Sequence, residues 1–273
     1  MGKFDGILIC TDLDGTLYRN DKTISSENKE AIEYFKGEGG SFTFITGRMP
    51  YYVRDAYRAV GPNVPFGCCN GGGIYDGEGE RYVWKHAIDP EVIEMVEAVD
   101  RAFPGVGIQV CGFDRTYFAK ENDVMARFRA ATGLPNFVCH YREVAAPFSK
   151  IIFGTDSEEE MLAIEGLLRA HRLGAGFDFV RSERALFEIL PKGIDKGTAL
   201  SKLVSHLGLD IRRTVAVGDF NNDIGMFRTA AVGIAVANAC AEAREAADFL
   251  TVSNEEHAIA RVIDGVFHGE YGI

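Results

Sequence analysis

The run Ile7-Leu8-Ile9-Cys10-Thr11-Asp12-Leu13-Asp14-Gly15-Thr16-Leu17 constrains the fold more than any other stretch of the chain. A short apolar segment ends in two carboxylates one residue apart, and a glycine follows at once. A strand buried on both faces reads as such a continuous apolar run, and it belongs to a parallel sheet covered by helices. Open sheets of this kind gather their chemistry just beyond the carboxyl ends of the strands. Asp12 and Asp14 therefore stand where a site is expected. Three ordinary readings compete. A calcium loop needs ligands at its positions 1, 3 and 5 before the glycine at 6, whereas Gly15 follows the second carboxylate directly. Asp14-Gly15 is also a hairpin signal, but Tyr18-Arg19-Asn20-Asp21-Lys22 does not continue as an alternating strand. The third reading is that acidic residues simply favour turns.

Two further strand ends carry the same kind of residue. Ser41-Phe42-Thr43-Phe44-Ile45 stops at Thr46-Gly47-Arg48, and Thr214-Val215-Ala216-Val217 stops at Gly218-Asp219-Phe220-Asn221-Asn222-Asp223. Each is readable alone as a loop rich in turn formers. Three ends that together collect carboxylates, a hydroxyl and a fixed cation are harder to attribute to turns.

Strand and helix signals alternate around these ends. Ser25 or Ser26 can cap a helix carrying Ala31, Ile32 and Phe35, which the Gly37 to Gly40 region stops. Pro50 can open the next helix from its first turn, and a strand holding Val64 to Cys69 then runs into Asn70-Gly71-Gly72-Gly73. This rhythm predicts a parallel, doubly wound, Rossmann-like α/β sheet. Between residues 84 and 184 the pattern changes to strand candidates at Gly107–Cys111, Thr116–Ala119, Ser149–Phe153 and Phe177–Ser182, with a clear amphipathic helix at Glu91–Phe103. The expected organisation is a core of residues 1–83 and 185–273 interrupted by an inserted α+β domain at 84–184.

Composition narrows the partners. Against 29 Lys and Arg stand 40 Asp and Glu, a net charge of −11. This balance argues against nucleic acid or an acidic membrane surface as the main partner, since a phosphate backbone demands a basic footprint. A small anion remains compatible, because a local cluster of cations outweighs the global charge. No apolar stretch approaches the roughly 20 residues of a membrane span, and the N-terminus lacks the regions of a signal peptide, so a cytoplasmic location is expected. The six cysteines show no Cys-x-x-Cys spacing, which suggests neither a zinc ribbon nor a redox motif. His86, His140, His171, His206 and His268 likewise show no metal-ligand spacing.

With these residues in hand, the chain resembles the haloacid dehalogenase superfamily of phosphohydrolases, and within it the Cof-like, type IIB-capped sugar-phosphatase branch. Asp12-Leu13-Asp14-Gly15-Thr16 matches its first motif, Thr46-Gly47-Arg48 its second, Lys196 in Pro191-Lys192-Gly193-Ile194-Asp195-Lys196-Gly197 its third, and Gly218-Asp219 to Asn222-Asp223 its fourth. The four motifs occur in family order and the resemblance spans nearly the whole chain. Near the C-terminus Glu255-Glu256-His257-Ala258-Ile259-Ala260 follows the family's acidic-Gly-Val-Ala pattern loosely, with His257 where glycine is common.

The resemblance implies a Mg²⁺-dependent phosphomonoester hydrolase acting on a small phosphorylated metabolite, sugar phosphates foremost, beneath a cap domain. A phosphate monoester repels a carboxylate nucleophile, so a cation must sit between them. The resemblance gives that cation to the side chains of Asp12 and Asp219 and the backbone carbonyl of Asp14. Asp12 would attack phosphorus and form an aspartyl-phosphate, while the Asp14 side chain would transfer protons to the leaving group and from water. Thr46 would donate to a phosphoryl oxygen, Lys196 would steady Asp12 and the transferring group, and Asn222 and Asp223 would orient them from behind. Gly47, Arg48, Asn70 and Gly71 are weaker substrate-binding candidates, with loop capping and turn formation as the competing readings. A phosphomutase, or a silent phosphometabolite binder, would share the same motifs.

Overall fold

The N-terminal apolar run forms β1 (Leu8–Thr11), all four of its residues buried. Ser25 then opens α1 (Ser26–Gly37), its side chain accepting the Asn28 amide at 3.2 Å, a cap that contributes about 0.5–2 kcal/mol. The chain continues through β2 (Ser41–Phe44), a turn led by Pro50, α2 (Arg54–Val60), β3 (Phe66–Cys68) and an antiparallel hairpin of β4 (Gly73–Asp76) and β5 (Arg81–Lys85). The computed structural model describes residues 2–273 and divides them into two units, one of residues 2–85 and 195–273, the other of residues 86–194.

The second unit contains α3 (Val92–Ala102), β6 (Gly107–Gly112), β7 (Thr116–Lys120), α4 (Asp123–Thr132), β8 (Phe148–Gly154), α5 (Glu158–Ala170), β9 (Phe177–Glu183) and β10 (Leu186–Pro191). Its sheet runs β7-β6-β8-β10-β9, antiparallel throughout. Ile108, Val110, Ile151, Phe153, Phe187 and Ile189 share a core with Val92, Met95, Val96 and Val99 of α3 and Met161, Ile164 and Leu168 of α5. Side chains alternate across a strand, so Lys150 and Glu188 point to the other face, where the lysine Nζ holds both carboxylate oxygens at 2.8–2.9 Å. The return to the first unit was expected at residue 185, but β10 pairs with both β8 and β9 and carries the second unit to Ile194. The nearly continuous apolar run Leu186-Phe187-Glu188-Ile189-Leu190 reads like a buried parallel strand. Glu188 fits that buried position because Lys150 neutralises it.

The first unit resumes with α6 (Lys196–Leu207), β11 (Thr214–Gly218), α7 (Ile224–Thr229), β12 (Val232–Ala235), α8 (Ala241–Ala246), β13 (Phe249–Leu250) and α9 (Ala258–Phe267). Its main sheet has the order β13-β12-β11-β1-β2, all parallel. Chain order reverses at β1, where β2 lies on one side and β11 on the other, and this is the switch point at which a crevice opens beyond the strand ends. Ile259, Val262, Ile263 and Val266 form the buried stripe of α9, and Asn28 of α1 accepts the Ala260 amide at 2.9 Å. No helix among the described residues is long and apolar enough to cross a membrane.

His257 explains its own departure from the family pattern. It starts α9 with φ of +62°, a left-handed conformation that glycine adopts freely and that a β-branched residue adopts only under strain. His257→Val is therefore expected to cost about 1–2 kcal/mol, while His257→Gly leaves stability unchanged or slightly higher. Thermal unfolding of the two variants checks this.

Candidate active site

Strand register assembles the site. Thr11 of β1 stands opposite Phe44 of β2 and Val217 of β11, so the three strands end at one level. The next residues continue the ladder briefly, the Asp12 amide donating to Val217 and the Ile45 amide to Thr11. Asp12, Thr46 and Asp219 therefore emerge together at the switch point. Gly15 then permits the turn that brings the two arms of the site close. Its φ is +77°, and a Cβ there would fall 2.4 Å from Asp219 Oδ2.

Lys196 begins α6 behind Asp195, whose side chain caps the helix. It is fully buried, and its Nζ donates to Asp12 Oδ1 at 2.6 Å and to Asp223 Oδ1 at 2.5 Å. The other Asp223 oxygen accepts the backbone amides of Asp219 and Phe220 at 2.8 and 3.0 Å. Asp223 thus fixes both the lysine and the loop that carries Asp219. Thr16 donates to Asp219 Oδ1 at 3.0 Å, and the Asn238 side chain donates to the Gly15 carbonyl at 2.8 Å.

Carboxylate oxygens of Asp12, Asp219 and Asp223 lie within 4.8 Å of one another, and Lys196 is the cation bonded into this cluster. Burial pushes Asp12 up to about 7, against the opposing pull of Lys196 and with the Asp223 and Asp14 charges adding to it. Burial likewise lifts Asp219 to about 8, helped by Asp12 and Asp223. Burial alone would depress the Lys196 ammonium, but the two carboxylates beside it raise it instead. Three carboxylates against one ammonium fit a hard divalent cation that takes oxygen ligands. Asp223, expected as a supporting residue, lies beside this cluster with both oxygens engaged by Lys196 and the two backbone amides.

The Asp14 side chain faces other partners. Its two oxygens receive Arg48 Nε at 2.7 Å and Arg48 Nη2 at 2.6 Å, and Lys22 Nζ adds a third bond at 2.9 Å. Burial would lift this carboxyl, yet Arg48 and Lys22 hold it below the usual carboxylate range. Arg48 is thereby bonded to a catalytic candidate. Thr46 is buried, and its hydroxyl accepts the Arg48 amide at 3.2 Å, leaving the hydroxyl proton to point elsewhere. Gly47 lies against the side chain of Asn70, and Asn70 Oδ1 accepts Asn222 Nδ2 at 3.0 Å. Gly71 has φ of +101°, and a Cβ there would meet the Asp195 carbonyl at 1.8 Å. Its glycine identity follows from packing against the loop before Lys196. Lys22 carried no sequence signal, because a lysine in a polar turn has no periodicity to mark it.

A family model described as haloacid dehalogenase-like hydrolase matches residues 9–263. The chain is 28% identical to the 5-amino-6-(5-phospho-D-ribitylamino)uracil phosphatase YwtE of Bacillus subtilis, over 96% of this chain and 99% of that one. Among solved structures, a haloacid dehalogenase-like hydrolase from Bacteroides thetaiotaomicron superposes with a TM-score of 0.82 at 24% identity, covering 95% of this chain and 99% of its own. The HAD subclass IIB sugar phosphatase BT4131 superposes with a TM-score of 0.84 at 22% identity, covering 95% and 98%.

Proposed function

Because the chain belongs to the haloacid dehalogenase-like hydrolases, and is a phosphatase among them, we propose that it hydrolyses small phosphomonoesters with Mg²⁺ through an aspartyl-phosphate on Asp12. One observation carries the reading. A buried Asp12 shares its cluster with Lys196, Asp219 and Asp223, while a second carboxylate, Asp14, is held apart from that cluster. Phosphoryl transfer needs this division between a nucleophile in a cation site and a separate proton carrier.

Asp12 and Asp219 would hold Mg²⁺, with the Asp14 carbonyl as a further ligand and Asp223 steadying Lys196 and the Asp219 loop; the ion, when bound, offsets charge on the carboxylates and the phosphoryl group. The remaining work falls to the chain. An Asp12 oxygen attacks phosphorus as the ester P–O bond breaks, and the leaving oxygen takes a proton from Asp14. Water then attacks the same phosphorus, gives a proton to Asp14 and releases inorganic phosphate from Asp12. Lys196 keeps Asp12 oriented throughout, Thr46 donates its hydroxyl proton to a phosphoryl oxygen, and Asn70 and Asn222 brace the surrounding loops.

The relative that acts on a phosphorylated ribityl compound supports sugar-like phosphate esters as the substrate class, and the inserted unit is read as the family's cap domain. The test is phosphate release from a panel of sugar phosphates and other small monoesters with Mg²⁺ and with EDTA. Release is expected with Mg²⁺ and lost in EDTA. Turnover of a sugar phosphate to an isomer without free phosphate would instead mark a mutase and overturn the reading.

A further inference from the structure

Two separate loops each direct a long cation at one carboxylate. Arg48 approaches from the loop after β2 and closes a two-point fork on Asp14, with its own amide tied to Thr46 and its guanidinium carbon 5.8 Å from the centre of the Tyr18 ring. Lys22 approaches from the turn at residues 19–23, where Arg19 and Thr23 and then Lys22 and Arg19 are joined by backbone bonds of 2.9 Å. The lysine itself has φ of +64°, a conformation rare for a non-glycine residue. The turn is also tied down from the C-terminal side, by Asn254 Nδ2 on the Tyr18 carbonyl at 2.9 Å and by Glu255 on the Asn20 amide at 2.7 Å. An exposed lysine held so firmly in an unfavourable backbone state has a local purpose.

We propose that Lys22 and Arg48 are positioning residues that fix the Asp14 carboxyl group for proton transfer and keep it from collapsing onto the cation cluster two residues away. This rests on the hydrolase reading above. Asp14 and Asp12 leave the same strand end, and a free Asp14 side chain would be drawn toward Lys196 or a bound divalent ion. Three directed bonds to Arg48 and Lys22 prevent that. In the empty site the two cations hold Asp14 ionised; in the transfer they serve, the ester P–O bond breaks toward the leaving oxygen, which takes the proton that Asp14 received from water in the preceding turnover, while Asp12 gains the phosphoryl group. No cofactor is consumed.

Leaving-group dependence tests the idea. An alkoxide leaving group needs the proton, whereas p-nitrophenolate departs without it, and kcat/KM reports only the steps through phosphorylation of Asp12. Lys22→Met and Arg48→Lys are each expected to lower kcat/KM for a hexose 6-phosphate by about 10–100-fold, part of the typical effect of a general acid. For p-nitrophenyl phosphate the loss should stay within about threefold, on the same account of proton transfer. Lys22→Arg should restore most of the lost rate. Equal losses on both esters would overturn the proposal, because a disturbed loop or a lost phosphate contact affects both alike. So would unchanged hexose phosphate turnover. Failure of the underlying reading is separable, since it would show as no Mg²⁺-dependent release by the unaltered protein from either ester.

Discussion

Asp12→Asn is expected to lower phosphate release by at least about 10⁴-fold, the scale on which loss of a covalent nucleophile acts. The substitution keeps the shape of the side chain and one oxygen for the Lys196 ammonium, which now sits 2.6 Å from Asp12 Oδ1. It removes the anionic oxygen that attacks phosphorus. Fold should survive, because Lys196 keeps its bond to Asp223 and Asp223 keeps its two backbone amides. Phosphate release from the best ester of the panel, at saturating Mg²⁺, is the measurement. A variant retaining more than a few per cent of the activity would show that Asp12 is not the nucleophile. Attack by Asp219 or by an activated water would then have to be considered, and the assignment of Asp14 would fall with it.

Much of this site was legible because parallel strands advertise themselves. Ile7–Cys10 is a continuous apolar run and Ser41–Ile45 and Thr214–Val217 are short runs rich in strand formers, each stopping at polar residues, and the register that aligns Thr11 with Phe44 and Val217 turns three separate stops into one place. Lys196 was legible only by resemblance, since nothing local distinguishes it from a surface lysine at the start of a helix. Its burial comes from partners 184 and 27 residues away in sequence. Lys22 escaped for another reason. It depends on left-handed backbone at a non-glycine residue, and side-chain type gives little hint of that conformation. The hairpin of β4 and β5 and the membership of β10 escaped because pairing is a property of partners. Leu186–Leu190 is equally compatible with a parallel and an antiparallel neighbour until Lys150 is seen to neutralise Glu188.

Lys196→Met should produce the largest loss of stability of any single substitution at the site. Lys196 and Asp223 are both fully buried and Asp12 is 6% exposed, so water cannot replace the ammonium. Removing one member of a buried ion cluster typically costs about 3–5 kcal/mol, because the remaining charges stay buried without compensation. The cost has a definite pH dependence. In the metal-free protein Asp12 stands at about 7 and Asp219 at about 8, both above the value near 4 that a carboxyl has in an unfolded chain. Between those limits the folded protein binds more protons than the unfolded one. Their contribution to stability is therefore complete below about pH 4 and is lost as pH rises through about 7 to 8. Lys196 pulls both carboxyls down, so deleting it should raise them further and deepen the loss toward alkaline pH. Thermal unfolding in EDTA at pH 6 and pH 8.5 checks this, with the gap between variant and parent expected to be wider at pH 8.5. Added Mg²⁺ should recover part of the stability, more at pH 8.5 than at pH 6, since protons compete with a cation for the same oxygens. A gap that is equal at both pH values, or wider at pH 6, would mean that the buried carboxylates do not repel one another as their geometry implies. The need for a cation at this cluster would then have no electrostatic basis.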